Sequence, residues 1–285
     1  MKSLPTSPPW SAALRLRLAP NAQACTRLVH NQHSGPLRVQ RLLYPEGPNP
    51  AHARLLHPPG GIAGGDLLDL NIELSAGARA LVTTPGASKW YHGERGAAHQ
   101  LVHLKLADDA CLEWLPQEAI VFDAADASQE LRIDLSAQAR MIGWDIVQFG
   151  RIAAGETWQN GRWRQQLQLW REGRLRWREC ADLHARDRLL DAPLALAGYP
   201  VCGTLWATAP ALGSHAEALL DQLRSAAQDH PLCGISWLPA PTELLLVRVL
   251  GKSSEVVRAL LEALWSQMRP LITGHLALRP RIWDT

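Results

Sequence analysis

The sequence predicts a mainly β protein whose antiparallel sheets form one large domain, with a few helices that lie mostly near the C-terminus. Three observations support this prediction: apolar and polar residues alternate over much of the first 180 residues, turn signals separate the alternating runs, and helical periodicity starts only after residue 213. The chain has 285 residues, 47% of them hydrophobic, which is enough to bury a substantial core. We therefore expect residues 1–285 to form a single domain, with a β-rich part over 36–180 and a small α/β part over about 200–285.

The strands are predicted from alternation with a period of two residues. Residues 68–74 place leucine and isoleucine on one face and acidic or amide side chains on the other, and residues 131–135 repeat this pattern. Residues 101–106 and 140–149 are similar. Such alternation is typical of strands with one buried face. The sequence shows no internal repeat.

Two turn signals predict hairpins. Asn160-Gly161 and Glu172-Gly173 each lie between apolar runs that contain tryptophan, and a two-residue loop ending in glycine suits a tight β-turn because the central residues must accept positive φ. Strands recur every 8–15 residues with no helix between them. The sheets are therefore predicted to be largely antiparallel.

Two helices are predicted in the last quarter of the chain. Ser214 and Glu217 have the spacing of a capping box, and Ser253 is the predicted start of the second helix, which is predicted to end at Pro270. The apolar stripe of the first helix comprises Ala218, Leu219, Leu223 and Ala226. The stripe of the second includes Val256, Leu260, Leu261, Leu264, Trp265 and Met268. Between the helices, residues 243–250 have the pattern of a buried strand.

Composition favours a cytoplasmic protein with neither a nucleic-acid nor a membrane partner. The net charge of +2 is too small for bulk electrostatic binding to nucleic acid. The five cysteines are widely spaced without a CxxC motif, which fits a reducing compartment. Residues 1–10 contain three prolines and no apolar core, so we expect no signal peptide. The most apolar stretch, 189–213, is interrupted by Asp191 and three prolines and is not expected to span a membrane.

The most glycine-dense segment, 60–66, does not have the pattern of a nucleotide-binding loop. A P-loop has lysine followed by serine or threonine after its last glycine, and here Asp66 occupies that place. No strand–helix–strand pattern surrounds the segment, as a dinucleotide fingerprint requires. The glycines are expected to permit tight turns and close packing.

No catalytic or tight metal-binding motif is evident. There is no GxSxG motif, and Glu113 and Glu118 have the spacing of ordinary outward-facing strand residues rather than of a convergent acid–base pair. The histidine pairs His99/His103 and His30/His33 lack cysteine or carboxylate ligands at zinc-site spacing, so we expect no high-affinity metal site. These residues favour a scaffold or chaperone over an enzyme.

Arginine and tryptophan alternate over residues 162–178. Such interleaving occurs in proteins that bind single-stranded nucleic acid. Alternation favours another interpretation, because Arg174, Arg176 and Arg178 fall on one face of a strand while Trp177 falls on the other. We expect a solvated arginine face over a tryptophan-lined core.

Five blocks in fixed order carry a family resemblance: HPPGGIAGGD (57–66), TTPGASKWY (83–91), LEWLPQEAIVFD (112–123), GWD (143–145) and PRIW (280–283). Together they resemble the urease accessory protein family UreD, called UreH in some bacteria. The departures are local. His92 stands where the family usually has arginine, and Ala124-Ala125-Asp126 replaces a Gly-Ala-Arg-like turn.

The resemblance implies a layered, spiral β architecture and a non-catalytic urease maturation factor. Proteins of this family bind the structural subunits of apo-urease and assemble with UreF-like and UreG-like accessory proteins, and the assembly passes nickel into the urease active site. GTP hydrolysis belongs to the UreG-like partner. The resemblance thus implies nickel in transit and no tightly bound cofactor.

Matching positions in the family blocks suggest which residues could line a nickel path. A transit path should hold the ion weakly through oxygen ligands. The candidates are Glu46, Asp66, Thr84, Asp145, Glu156 and Glu179. Each of them has a structural alternative; for example, Asp66 could cap a turn and Glu179 could pair with Arg176 or Arg178.

A tryptophan-rich β protein could instead bind or cleave carbohydrate. In that hypothesis Trp163, Trp170 and Trp177 stack on sugar rings and two acidic residues act as catalysts. It predicts tryptophan side chains exposed along a cleft.

Overall fold

A computed structural model describes residues 10–210 and 212–284 of the chain, and strands dominate it, as predicted. The prediction that no signal peptide is present concerns residues that lie, except for Trp10, outside these ranges. The strands in chain order are β1 (Ser11–Pro20), β2 (Thr26–Ser34), β3 (Arg38–Val39), β4 (Ala51–Leu56), β5 (Gly61–Ile62), β6 (Leu67–Leu74), β7 (Arg79–Thr83), β8 (Ser88–Trp90), β9 (Ala98–Leu106), β10 (Cys111–Leu115), β11 (Ala119–Val121), β12 (Asp126–Leu135), β13 (Arg140–Phe149), β14 (Arg162–Arg171), β15 (Arg174–His184), β16 (Val201–Thr208), β17 (Cys233–Leu238) and β18 (Leu244–Gly251).

Helices occupy the later part of the chain. The two α-helices are α1 (Ala216–Ala226) and α2 (Ser254–Thr273). Short 3₁₀ turns are formed by Ile152–Ala154, Arg188–Leu190, Gly213–His215 and Arg281–Asp284. The first strand starts at Ser11, so the strand-rich part begins before residue 36. No helix among residues 10–210 and 212–284 is long and apolar enough to cross a membrane.

Two large sheets face each other in a spiral. Sheet A has the strand order β15-β14-β12-β9-β6-β1-β2, and the main path of sheet B is β17-β18-β16-β13-β10-β7-β4-β3. The chain passes from β6 in sheet A to β7 in sheet B, through the short strand β8, and back to sheet A at β9. It then repeats this course through β10 and β11 to β12. Each coil therefore stacks on the one before it, which confirms the layered, spiral architecture.

The prediction of largely antiparallel sheets is wrong. Strands β6, β9, β12 and β14 pair in parallel in sheet A, and β4, β7, β10 and β13 do so in sheet B. Antiparallel pairing is found toward the ends of the sheets, for example between β1 and β2 and between β13 and β16. The physical reason is that consecutive long strands lie in opposite sheets. A strand of sheet B therefore forms part of the connection between two neighbouring strands of sheet A, and those two strands run in the same direction. The absence of helices between strands therefore does not imply hairpins.

The spiral contains a structural repeat that the sequence analysis missed. Equivalent four-residue turns at 75–78, 107–110 and 136–139 join sheet A to sheet B in successive coils. They are stacked by backbone hydrogen bonds, because Cys111 N donates to Ala78 O at 2.9 Å and Arg140 N donates to Ala110 O at 2.9 Å. The alanine that ends each turn is fully buried. In sequence, residues 70–79 (LNIELSAGAR) and 131–140 (LRIDLSAQAR) are identical at seven of ten positions, whereas residues 102–111 (VHLKLADDAC) keep mainly the alternation and the alanine that ends the turn.

Only one of the two predicted hairpins is present. Glu172 and Gly173 have φ values of 53° and 69° and connect the antiparallel strands β14 and β15, as a tight two-residue turn requires. Asn160-Gly161 instead precedes β14 within the long connection from β13. Gly161 packs against the backbone of Ala125, and a Cβ at this position would lie 2.3 Å from Ala125 O. Glycine is required here because two backbone segments approach closely, and not because the chain forms a hairpin.

Two cores divide the protein into three layers. One core lies between sheets A and B, and the other lies between sheet B and the helices. Strand β13 is shared by both, since Met141 and Val147 face sheet A while Ile142 and Ile146 face the helical layer. Burial on both sides explains why residues 141–149 are all buried, although their sequence resembles a half-buried strand.

Both predicted helices exist, with different ends. Ser214 lies in a 3₁₀ turn, and α1 begins at Ala216. Ser253 caps α2 by accepting a hydrogen bond from Val256 N, as its predicted position implies, but Val256 is exposed and Val257 takes its place in the core. The helix continues through Pro270 to Thr273 and ends at Gly274, whose φ is 79°. The left-handed glycine, whose N donates to Pro270 O, therefore provides the C-cap, and the proline does not end the helix.

Candidate functional site

A cavity of about 200 Å³ lies between sheets A and B, and we call it the central cavity. Its walls carry leucine, isoleucine and tryptophan side chains together with a set of polar groups. The polar lining residues are His57, Thr84, Ser88, Gln100, Gln117, Gln129 and Asp145. Two of the six candidate path residues, Thr84 and Asp145, therefore share one cavity.

Two family-like segments form part of the cavity wall. Gly60 and Gly61 contribute from one segment, and residues 84–88 contribute from the other. A Cβ on Gly61 would lie 1.9 Å from the Tyr91 ring, and a Cβ on Gly64 would lie 2.7 Å from Gly93 O. The glycine-rich segment therefore serves close packing, as the sequence predicted.

Asp145 is the carboxylate of the central cavity. It is 9% exposed, and its Oδ2 accepts hydrogen bonds from Nε2 of Gln129 at 3.3 Å and from Nε2 of Gln165. Burial raises the pKa of Asp145 to about 6, Glu179 adds to the rise through repulsion, and the two amide hydrogen bonds oppose it. At neutral pH the side chain is therefore mainly an anion inside a sparsely charged cavity.

Thr84 and Asp66 both stabilise turns near the cavity. Thr84 Oγ1 accepts a hydrogen bond from Gln117 N at 2.9 Å and donates to Gly86 O at 3.1 Å. Asp66 accepts hydrogen bonds from Ala63 N at 2.9 Å and from Trp10 N at 2.8 Å, so it caps a turn, one of the alternatives derived from sequence.

His57 lines the central cavity and lies close enough to Asp66 for the charge of Asp66 to affect its pKa. Burial lowers the pKa of His57, and the nearby negative charge of Asp66 partly opposes that effect. The imidazole is therefore neutral at pH 7, and its Nε2 is buried without a hydrogen-bond partner in the described part of the chain. A neutral imidazole nitrogen of this kind can accept a hydrogen bond or bind a metal ion.

Glu179 lies on the inner side of β15, in register with Leu167 of β14. Its Oε2 accepts a hydrogen bond from Arg248 Nη2 at 2.8 Å, so its cation partner comes from β18 and is neither Arg176 nor Arg178. Cys202 is close enough to be affected by both acids: burial raises its pKa to about 12, and the charges of Asp145 and Glu179 add to the rise. Asp145 and Glu179 thus contribute to one region of negative potential.

Glu46 lies on the opposite side of sheet B. His52, whose strand neighbours Ala51 and Ala53 face the central core, bonds to Glu46 Oε1 at 2.7 Å. Arg269 of α2 donates to Glu46 at 2.6 and 2.8 Å. Burial alone would raise the pKa of Glu46, but hydrogen bonds from His52 and Arg269 outweigh it and lower the pKa. The structure does not bring Glu46 to Asp145.

Glu113 belongs to the same buried cluster as Glu46. It is 1% exposed and bonds to Arg269, so the expectation of an outward-facing acid is wrong. Glu118 pairs with Arg258 at 3.2 Å, and the two glutamates do not converge on a common site. The packing of α2 over sheet B converts the outer face of β10 into an interior one.

Glu156 lies in the connection after β13. Its Oε2 accepts hydrogen bonds from Nη2 and Nε of Arg151 at 2.7 and 2.9 Å, and its Oε1 accepts one from Asp123 N at 3.2 Å. The guanidinium of Arg151 lowers the pKa of Glu156. It lines a separate groove of about 580 Å³ beside Trp158 and Tyr199, not the central cavity.

Sequence reasoning missed most of the polar cavity wall. Gln100, Gln129 and Gln165 fall at inward positions of their strands, where the alternation calls for apolar side chains. That interruption of the apolar face is a signal that could have been read from the sequence. The alignment of these glutamines across the sheet could not be predicted, because it depends on which strands are neighbours.

The described residues contain no group of three histidine, cysteine, aspartate or glutamate side chains placed to hold a metal ion. The described cysteines are all free, and burial raises the pKa of Cys111 to about 12, which makes its thiolate scarce. The cavity thus has one carboxylate and several neutral oxygen and nitrogen donors. Such a set can attract a divalent cation without retaining it tightly.

Burial disfavours the carbohydrate hypothesis. Trp163 is 1% exposed and Trp177 is 8% exposed, and they pack against Trp90 and Trp206 respectively. A sugar ring cannot stack on tryptophan faces that are already in the core.

The fold and the cavity define a β-spiral protein with a partly polar cavity between its two sheets. The family model described as UreD urease accessory protein matches residues 11–284, and the chain belongs to this family. It is 45% identical over 280 residues to the urease accessory protein UreD of Dechloromonas aromatica, covering 98% of this chain and 96% of the relative. The UreD proteins of Ralstonia nicotianae (46% over 279 residues, 97% and 94% covered) and Delftia acidovorans (44% over 290 residues, 97% and 95% covered) are similar. Family membership implies a role in urease maturation.

Proposed function

We propose that this chain is a non-catalytic maturation factor that binds the structural subunits of apo-urease and supports nickel insertion together with UreF-like and UreG-like partners. The observation that carries the proposal is the family match over residues 11–284, which includes the segments around the central cavity. We further propose a cytoplasmic location and partners that include neither nucleic acid nor membrane.

Nickel passes through the central cavity in this proposal and is never tightly held. Nickel(II) accepts oxygen and nitrogen ligands. Asp145 offers one anion, Thr84 a hydroxyl and His57 a neutral ring nitrogen. Glu179 strengthens the negative potential near Asp145. A single carboxylate among neutral groups favours entry and permits exit.

GTP hydrolysis is assigned to the UreG-like partner. The glycine-rich segment 60–66 leads into strand β6 and not into a helix, so no helix N-terminus is available there for phosphate. Asp66 stands where a P-loop has lysine, and its side chain is occupied by two backbone amides. A phosphate would meet an anion at this turn.

Charge-removing variants test the path. We expect Asp145→Asn and Glu179→Gln to reduce the nickel content and activity of urease in cells, with assembly intact, because each keeps side-chain volume while removing negative charge. Glu73→Gln, which alters an acid of sheet A that pairs with Lys105 at 3.6 Å, is the matched control and should activate urease normally. Measurements are urease activity, bound nickel and a pull-down with urease subunits.

The same experiment separates path residues from structural ones. Asp66→Asn should lower activation only as far as it lowers the amount of folded protein, because Asp66 caps a turn. Full urease activation in cells that carry both Asp145→Asn and Glu179→Gln would remove the central cavity from the nickel path. That result would not affect the proposed role as a scaffold.

A further inference from the structure

Three glutamines form a ladder across the inner face of sheet A. In the parallel register, Gln129 of β12 is the partner of both Gln100 of β9 and Gln165 of β14. Adjacent strands in a sheet are about 4.8 Å apart, so the three side chains follow one another across this face. Gln100 and Gln129 line the central cavity, and Gln165 donates to Asp145 beside it. We call them the glutamine ladder.

The glutamine ladder faces the carboxylate of Asp145 on sheet B. Gln129 and Gln165 donate to Asp145 Oδ2, which leaves Gln129 Oε1 buried without a partner among the described residues. Buried polar atoms are rarely left unpaired unless water or a ligand satisfies them. Gln129 Oε1 is an acceptor, so it points to an occupant that donates a hydrogen bond to the wall.

The size of the central cavity suits a cation with its first water shell. One water needs about 10–15 Å³ of such cavity volume, so the central cavity, at about 200 Å³, has room for an ion together with a first shell of six waters. A bare ion would fill little of that space. It would also need several direct ligands, whereas Asp145 is the only carboxylate among the described residues that line the cavity.

We propose that the glutamine ladder and Asp145 hold a hydrated divalent cation through its water shell, with no direct protein–metal bond. Metal-bound waters are hydrogen-bond donors, and Asp145 oxygens and amide oxygens such as Gln129 Oε1 accept from them. This contact discriminates by charge and hydrated size and not by the identity of the metal. The inference rests on the proposed passage of nickel and states the form in which the ion travels.

Hexaamminecobalt(III) is a direct probe, because its six ammonia ligands do not exchange and imitate the water shell. The purified full-length chain is dialysed against Ni²⁺ with increasing hexaamminecobalt(III), and both metals are quantified. We expect one hexaamminecobalt(III) to displace one Ni²⁺. Asp145→Asn should lose binding of both ions.

A matched pair of glutamine variants tests the ladder. Gln100→Leu removes a cavity-facing amide that makes no hydrogen bond to Asp145, and it should weaken binding of both ions about threefold to tenfold, as expected for one hydrogen bond. Gln166→Leu, on the opposite face of β14, should bind like the unaltered chain. Competition between the two ions needs no variant and so does not depend on how the variants fold.

Two results would overturn the inference: Ni²⁺ binding that hexaamminecobalt(III) cannot displace, or equal affinities for Gln100→Leu and the unaltered chain. A different result is expected if nickel does not pass through the central cavity. In that case hexaamminecobalt(III) still binds in an Asp145-dependent way, while cells with Asp145→Asn load urease with nickel normally.

Discussion

Arg269 Nε lies 2.9 Å from Glu113 Oε2, and the two fully buried side chains join helix α2 to strand β10. Glu46 binds the other side of the same guanidinium, and Trp265 Nε1 donates to Glu113 at 2.7 Å. One cation thus neutralises two buried carboxylates from distant parts of the chain. The cluster fixes the helical layer against sheet B.

Arg269→Met should destabilise the protein strongly. It leaves Glu46 and Glu113 without their cation, and breaking a buried ion pair typically costs about 3–5 kcal/mol. Arg162→Met provides the control, because Arg162 makes an equally well-formed pair with Asp182 at the surface. Urea unfolding should show a large loss for the first variant and almost none for the second. Equal losses would contradict the role of the cluster.

The positions of the strands could be predicted from the sequence, but their pairing could not. Alternation at residues 68–74 and 131–135 correctly places β6 and the end of β12. The same alternation is compatible with hairpins and with a spiral, because it records which face is buried and not which strand lies alongside. Residues 70–79 and 131–140 carry the repeat in their sequences, but the coil between them departs from it, with ADDA at 107–110, so the stacking of successive coils could not be predicted from the sequence.

The candidate site was predicted only in part for a similar reason. Asp145 and Thr84 do line one cavity, whereas Glu46 lies beyond sheet B and Glu156 lies beside another groove. Alternation along β4 places His52, the partner of Glu46, on the face opposite the central core. The sequence alone does not show that α2 covers this face, because that depends on the order of the strands. Residue type alone does not separate an acid in a cavity from one in a buried ion pair.

Gly61→Ala should destabilise the wall of the central cavity through one identifiable clash. The new Cβ would lie 1.9 Å from the Tyr91 ring, and overpacking of this kind typically costs about 1–3 kcal/mol. Gly86→Ala is the matched control, because open space surrounds Gly86. The double variant Gly61→Ala/Tyr91→Ala should lose less stability than the sum of the single variants. Strict additivity in thermal unfolding would contradict this explanation.

Thiol reactivity should separate the cysteines by burial. Cys180 is exposed, whereas burial raises the pKa values of Cys111 and Cys202 to about 12, and the thiolate is the reactive form. Ellman's reagent at pH 8 should therefore label Cys180 rapidly and should label Cys111 and Cys202 only after unfolding in urea. Cys180→Ser should remove the fast phase. A fast phase that persists in this variant would place a reactive thiol elsewhere.

The carboxyl of Asp145 should make folding stability depend on pH with an unusual sign. Burial raises its folded pKa from 3.8 to about 6, with a further contribution from Glu179. Between these two values the folded protein keeps a proton that the unfolded chain has already lost. The contribution of Asp145 to stability therefore falls as the pH rises through this window, with a slope of up to about 1.4 kcal/mol per pH unit.

Asp145→Asn isolates this contribution, because asparagine keeps the shape of the side chain and cannot titrate. We expect the variant to be more stable than the unaltered chain at pH 7, where burial of the Asp145 anion is costly. The difference should shrink as the pH is lowered from 7 through 6 toward 4, because Asp145 then becomes neutral in both the folded and the unfolded chain. Urea unfolding of both proteins across this pH range measures the difference directly. A difference that stays constant with pH would show that Asp145 has the same pKa in the folded and the unfolded chain, and would contradict the cost assigned here to burying its charge.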